Sequence, residues 1–182
     1  MHDTLIVTGG AGFIGSHLVD ALVAGGSTVH VLDDLSTGRA ENVHAGAQLH
    51  RLDIRVVDAL TALARTIGPV RAWFHLAAQA DVRVSVADPV LDASVNVIGT
   101  LNVIAAAGLG EAPVVFTSTG GAMYGAADTI PTSEDAPARP EAPYGAAKLA
   151  AEQYLAQDAR LNGAPHVVTR LANVYGPRQD PH

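Results

Sequence analysis

The chain has 182 residues, 48% of them hydrophobic and 16% charged, which suits one packed domain. Its net charge of −7, without a basic run, excludes nucleic acid as the main partner, because a phosphate backbone calls for clustered lysine and arginine. The absence of cysteine excludes a disulfide framework and a thiolate metal site.

Short apolar runs alternate with helical ones along the chain. "TLIV" (4–7) reads as a strand and "GFIGSHLVDALVAGG" (12–26) as a helix. "TVHVLD" (28–33) and "AQLHRLD" (47–53) read as the next two strands, followed by a helix over 56–68. A fourth strand, "VRAWFHLAA" (70–78), precedes a long helix from about Pro89 to Ala107. "PVVFTST" (113–119) is the fifth strand, "YGAAKLAAEQYLAQDARLNG" (144–163) a helix and "HVVTRL" (166–171) the sixth strand. The proline-rich stretch 129–143 reads as one long surface loop, a length that usually serves function. Strands alternating with helices imply a doubly wound α/β fold, with a parallel sheet covered on both faces.

The N-terminus shows neither the basic region nor the apolar run of a signal peptide. The most apolar stretch, 97–110, is too short and interrupted to span a membrane, so a cytoplasmic protein without a membrane partner is expected.

After the first strand comes "TGGAGFIG" (8–15), in which Gly9, Gly12 and Gly15 follow G-x-x-G-x-x-G. Glycine permits the tight turn and a close approach of backbone to a pyrophosphate, and the following helix offers free N–H groups to it. Asp33 ends the second strand about 20 residues on, where the dinucleotide fingerprint places a ribose-binding acid. A carboxylate there repels a 2′-phosphate and favours NAD over NADP, and Asp34 adds to this.

Tyr144 and Lys148 are spaced i, i+4, so a helix sets them on one face. Pro143 suits the first turn of that helix. Lys148 is the only lysine of the chain, the other ten basic residues being arginine. A tyrosine ionises near pH 10, and an adjacent cation lowers that value, so the pair can move a proton while hydride leaves the same carbon. The eight histidines form no H-E-x-x-H pattern, so no metal is expected, and His75 reads as a packing residue.

"TGGAGFIG", "DDLSTG" (33–38), "LDIR" (52–55), "HLAAQ" (75–79), "NVIGTLN" (96–102), "STGGAMYG" (118–125) and "YGAAK" (144–148) occur in this order. Together they resemble the extended short-chain dehydrogenase/reductases, and within them the nucleotide-sugar epimerases of the UDP-glucose 4-epimerase kind. The resemblance covers the whole chain and implies a Rossmann fold that binds NAD. It implies cofactor contacts from Gly9, Gly12, Phe13, Ile14, Gly15, Asp33, Asp34, Ser36, Thr37 and Gly38. Asp53 and Ile54 would flank the adenine, and Leu76, Ala77, Ala78 and Gln79 would line the cofactor. Asn96 would support the site from the central helix, and Tyr144 and Lys148 would also touch the cofactor.

On the same resemblance, Tyr144 and Lys148 are catalytic, and Thr119 or Ser118 supplies the hydroxyl that meets the sugar. Many relatives carry that hydroxyl at the position of Gly120. Ser85 and Asn173, with Thr119 and Tyr144, would touch substrate, although Ser85 reads equally as a loop or helix-cap serine. Gly120, Gly121 and Ala122 stand where the related 4,6-dehydratases carry an Asp-Glu pair, so net dehydration is not expected. Members of the family run to roughly twice this length, so residues 1–182 would form the NAD-binding domain, with the substrate lobe cut off after about residue 172.

The implied activity is NAD-dependent epimerisation at C4 of a nucleotide sugar through a 4-keto intermediate. The substrate would be UDP-glucose/galactose or a UDP-uronic acid. A UDP-uronic acid decarboxylase or other nucleotide-sugar oxidoreductase, and a non-catalytic NAD-binding module, remain open alternatives. The helices at 89–107 and 144–163 resemble the pair that joins two family protomers, implying a homodimer.

Overall fold

A computed structural model describes residues 3–127 and 129–180. Six strands form one sheet: β1 (Thr4–Thr8), β2 (Thr28–Asp33), β3 (Gln48–Arg51), β4 (Ala72–His75), β5 (Val114–Thr119) and β6 (Val167–Leu171). All pairings are parallel and the order is β3-β2-β1-β4-β5-β6. The chain winds outward in one direction from β1 to β3 and in the other from β4 to β6. A crevice therefore opens where the direction reverses, at the carboxyl ends of β1 and β4.

The strands are nearly all apolar because each face is covered. Val7, Val29 and Val31 pack with Val19 of α1 (Phe13–Ala24) on one face. Ile6, Leu32, Trp73 and Phe116 pack on the other against Leu60 of α2 (Val57–Ile67). Val103 and Ile104 of the central helix and Leu155 of α6 (Pro143–Asn162) complete that second layer. β6 lies at the edge and leaves Val167 and Val168 partly exposed.

The central helix runs from Pro89 to Gly108 as α4 (Pro89–Ala93), a π-turn (Ser94–Ile98) and α5 (Gly99–Gly108). It is long and apolar enough to meet the requirement for a membrane span, unlike the shorter stretch considered from sequence. It is nevertheless a core helix: Asp92, Asn96, Thr100, Val103, Ile104 and Ala107 are buried inside the protein.

Two elements were not expected. A single 3-10 turn covers Ala40–Asn42, and α3 spans Val82–Ala87. "VRVSV" alternates like a strand, but Asp81 caps its start by accepting from the Arg83 N–H at 2.8 Å, and a helical turn follows. β4 is shorter than expected because the chain leaves the sheet after His75 to line the crevice.

Candidate active site

The glycine turn is held by contacts that leave no room for side chains. Gly9 has φ +71, and its N–H donates to the Leu32 carbonyl at 2.8 Å. A Cβ at Gly9 would stand 2.5 Å from the Ala77 nitrogen, and one on Gly15 would run into the Gly9 carbonyl oxygen. Backbone from β1 and from the segment after β4 thus closes around one groove. Gly12 caps α1 without a side chain, so no side chain satisfies the first N–H groups at Phe13 and Ile14. An uncapped helix start over a side-chain-free groove fits a pyrophosphate.

Asp33 lies beside this turn and is buried. Its Oδ2 accepts from the Ala11 N–H at 3.0 Å and its Oδ1 from the Leu35 N–H at 2.9 Å. Burial pushes its carboxyl above the ordinary range, and the two backbone donors pull against that shift. Gly38 packs over the carboxylate, where a Cβ would stand 2.8 Å from Oδ1. Asp34 accepts from the Ser36 N–H at 2.9 Å and hydroxyl at 2.6 Å, which shapes the loop; Thr37 is exposed on it.

Farther out, hydrogen bonds from Arg55 hold the Asp53 carboxyl below its usual range. Ile54 is buried against Gly99, and its carbonyl accepts from Asn102 Nδ2 at 3.0 Å.

The crevice floor is a continuous polar chain. The Ala77 N–H donates to Thr8 Oγ1 at 3.2 Å, and Thr8 Oγ1 lies 2.6 Å from His75 Nδ1. His75 Nε2 lies 3.0 Å from Thr100 Oγ1, which donates to the Asn96 carbonyl at 2.7 Å. Because Thr100 spends its proton on that carbonyl, His75 must donate from Nε2 and accept at Nδ1 from Thr8. His75 is fully buried, with its pKa lowered to about 3 by burial and by the nearby Lys148 ammonium. It is a neutral structural tether between β1, β4 and the central helix.

The π-turn places Asn96 under the loop after β4. Its Oδ1 accepts from the Gln79 N–H at 3.1 Å, and its Nδ2 donates to the Gln79 carbonyl at 2.8 Å. Leu76, Ala77 and Ala78 lie half-buried between this clamp and the glycine turn. Asp92, one helical turn before Asn96, accepts from Asn96 Nδ2 at 2.9 Å and from Gln79 Nε2 at 3.0 Å.

Asp92 is the site residue that the sequence did not disclose. It is buried, and its charge acts on both Tyr144 and Lys148. On paper it is one acid in an apolar helix. The only local sign is its position four residues before Asn96.

Tyr144 and Lys148 lie on the first turns of α6, as the spacing requires. Gly145 lets this helix start seat against the β5 loop, because a Cβ there would run into the Ala122 carbonyl. Lys148 Nζ is buried and donates to the Thr117 carbonyl at 3.0 Å. It lies 4.6 Å from the Phe116 ring centroid and 6.0 Å from that of Tyr144. Burial lowers the lysine pKa to about 8, with Asp92 and Glu152 opposing the shift. The Tyr144 phenol is held above its ordinary value, by burial first and by Asp92 second. The lowering expected from Lys148 alone does not prevail: a cation bonded to a carbonyl and facing acidic neighbours does not outweigh desolvation of the phenol.

The two candidate hydroxyls have different surroundings. Ser118 is buried and donates to Glu152 Oε1 at 2.5 Å; Glu152 also takes three bonds from Arg170. Thr119 is half-buried, and its oxygen accepts from the Ala122 N–H at 3.2 Å; among the described residues nothing accepts its proton. Ser85 is neither a loop nor a cap residue. It lies fully buried inside α3 and donates to the Val82 carbonyl at 2.7 Å. Asn173 is exposed beyond β6, and its Oδ1 would stand 3.5 Å from a Cβ on Gly121.

From there the chain crosses the crevice end of the sheet to α1. His17 Nε2 donates to the Pro177 carbonyl at 2.9 Å, and Arg178 pairs with Asp20 at 2.5 Å. Among the described residues no group of three or more His, Asp or Glu converges as a metal site.

A six-stranded Rossmann sheet with a glycine cradle and a Tyr/Lys helix at its switch point defines a dinucleotide-binding protein of the extended short-chain dehydrogenase/reductase class. The sequence model of the "NAD dependent epimerase/dehydratase family" matches residues 5–182, and the chain belongs to that family. It is 50% identical over 182 residues to a UDP-glucose 4-epimerase of Mycolicibacterium smegmatis, covering 97% of this chain and 58% of that protein. Two solved structures are similarly close. One, a UDP-glucose 4-epimerase of Thermus thermophilus in complex with NAD, has TM-score 0.94 and 47% identity over 98% of this chain and 58% of that one. The other, a UDP-glucose 4-epimerase of Thermotoga maritima with UDP-glucose, has TM-score 0.95 and 42% identity over the same shares. The chain thus spans somewhat over half the length of these relatives.

Proposed function

We propose that the whole protein interconverts C4 epimers of a UDP-sugar with a retained NAD, and that this chain carries the cofactor half and the proton-handling pair. The carrying observation is that the Tyr144/Lys148 turn abuts the loop after β5 at the same crevice that the glycine turn and Asp33 open. The relatives described above are named UDP-glucose 4-epimerases, and the two solved structures are described as complexes with NAD or with UDP-glucose. NAD fits the residues present: the cradle leaves backbone for the pyrophosphate, and the buried Asp33 carboxylate opposes a 2′-phosphate. Bound there, its nicotinamide supplies the hydride acceptor and donor.

The chain's own residues handle the proton. Tyr144 takes it from the C4 hydroxyl and returns it on the opposite stroke. Positive charge brought beside the phenol opposes the effect of Asp92 and makes this transfer easier. Lys148 supplies a fixed ammonium from a buried seat, and Thr119 has the free proton to bond the sugar oxygen. Asn173 beside Gly121 and Ser85 within α3 are proposed on the substrate side. Residues 120–122 carry no acid to protonate a departing hydroxyl.

A substrate lobe beyond about residue 172 agrees with the relatives' greater length and with the exposed valines of β6. Exposed Val90, Ile98, Tyr154 and Leu161 on the central helix and α6 support a homodimer joined there. A cysteine-free, NAD-using chain fits the cytoplasm.

The test is incubation of the full-length protein with UDP-glucose, UDP-galactose and UDP-glucuronate without added NAD. A C4-epimerised product with no net NADH is expected. Stoichiometric NADH would indicate a dehydrogenase, release of CO2 a decarboxylase, and bound NAD with no product a binding module.

A further inference from the structure

After β6 the chain lies across the crevice and fastens on the helix that starts the cofactor groove. β4 and β5 stand between β1 and β6, so residues 172–176 pass over the carboxyl ends of both strands to reach α1. The strand spacings to be crossed make about 14 Å, which extended backbone from Leu171 to Pro177 can span. On the near side the Gly120 N–H donates to the Leu171 carbonyl at 2.7 Å. The backbone of residues 172–175 makes no hydrogen bond among the described residues, so this strap is held at its ends.

The far anchor is a row of contacts on one helix face. Phe13, His17 and Asp20 are spaced i, i+4 and i+7 along α1, and consecutive strap residues meet them in turn. A Cβ on Gly176 would stand 3.5 Å from Phe13 Cε2. The Pro177 carbonyl accepts from His17 Nε2 at 2.9 Å, and Arg178 Nη2 donates to Asp20 Oδ2 at 2.5 Å. The Phe13 ring meets the His17 ring edge-on, with centroids 5.9 Å apart. The Gln179 N–H closes a turn on the Gly176 carbonyl at 3.3 Å, with Pro177 and Arg178 at its centre. Arg178 has φ +64, at the turn position where glycine is favoured after proline. A long side chain kept in that conformation points to what its guanidinium holds.

We propose that residues 172–178 form a latch over the bound cofactor, with His17 and Asp20 as its catch, and that the Arg178–Asp20 pair sets how long NAD stays. This rests on the reading that NAD lies in the crevice. The catch is on α1 itself, whose uncapped start is the place for the pyrophosphate. NAD leaving the crevice has to pass the strap, so release follows the opening of the far anchor. A cofactor that takes hydride from a sugar and returns it to the same sugar must outlast each turnover, and a fastened strap provides that.

The test loads the full-length protein with radiolabelled NAD and follows its loss into excess unlabelled NAD. The paired side chains are 31% and 33% exposed, so breaking the pair should speed release by about fivefold. That rate is expected in Arg178→Gly, which keeps the turn and loses the pair, and in Asp20→Asn. The double variant Asp20→Arg with Arg178→Asp should return release toward the wild-type rate. Added salt should speed release from the wild type and not from Arg178→Gly. Arg71→Ala, whose pair with Asp3 lies at the opposite end of the sheet, should release NAD as the wild type does. If Arg178→Gly fails to fold, Asp20→Asn decides. NAD that binds but leaves both single variants at the wild-type rate overturns the latch alone. A protein that binds no NAD overturns the reading beneath it as well.

Discussion

Ser118 donates its hydroxyl proton to Glu152 at 2.5 Å, beneath α6, while the neighbouring Thr119 keeps its proton. The two residues differ by one position but serve different ends. Ser118→Ala removes a bond to a buried carboxylate and should cost about 1–3 kcal/mol of stability. Its kcat per folded molecule should stay near wild type. Thr119→Val should do the reverse, lowering kcat about a hundredfold with little change in Tm. Thermal unfolding beside steady-state kinetics on the full-length enzyme checks both, and the opposite pattern would transfer the role to Ser118.

Lys148 sits in a closed seat between the Phe116 ring and the Thr117 carbonyl. A guanidinium is planar and forked where an ammonium is compact. Lys148→Arg should therefore lower kcat by about a hundredfold or more although charge is conserved. Turnover at the wild-type rate would remove Lys148 from the mechanism.

Burial raises the pKa of Tyr144, and the negative charge of Asp92 raises it further. If Tyr144 is the base, kcat/KM rises with pH as the phenol ionises. Asp92→Asn removes the charge while keeping an acceptor for Gln79 and Asn96. The acid limb of the pH profile should then move to lower pH. A limb that stays in place would show that another group titrates there.

His75 provides a stability test with a definite sign. Its pKa falls from 6.5 to about 3 on folding, so the unfolded chain takes up a proton that the folded one refuses. The stability it contributes is complete above pH 6.5 and is lost as pH falls toward 3. Unfolding curves of wild type and His75→Gln should differ most near pH 7 and converge on acidification. A constant gap across that range would contradict the buried neutral assignment.

Much of this protein is legible from local spacing. Apolar runs and their separations determine the order of strands and helices, because a strand buried on both faces must be apolar throughout. Gly9, Gly12 and Gly15 with Asp33 declare a dinucleotide turn, and the four-residue step from Tyr144 to Lys148 places them on one helix face. α3 escaped because "VRVSV" has the period of a strand, and only Asp81, by capping, makes it helical.

What remained for the tertiary structure concerns partners distant in sequence. Ser118 meets Glu152 across 34 residues, Lys148 meets Thr117 across 31, and His30 meets His50 across 20. Burial of the Tyr144 phenol, which raises its pKa first, and of Asp92, which adds to the shift, depends on how the central helix seats against α6 and the loop after β4. Sequence by itself determined the chemical groups of the site other than Asp92, and which element carries each of them. Packing decided which hydroxyl is free, which charge is desolvated and which proton is held, because hydrogen bonding and desolvation depend on neighbours in space rather than along the chain.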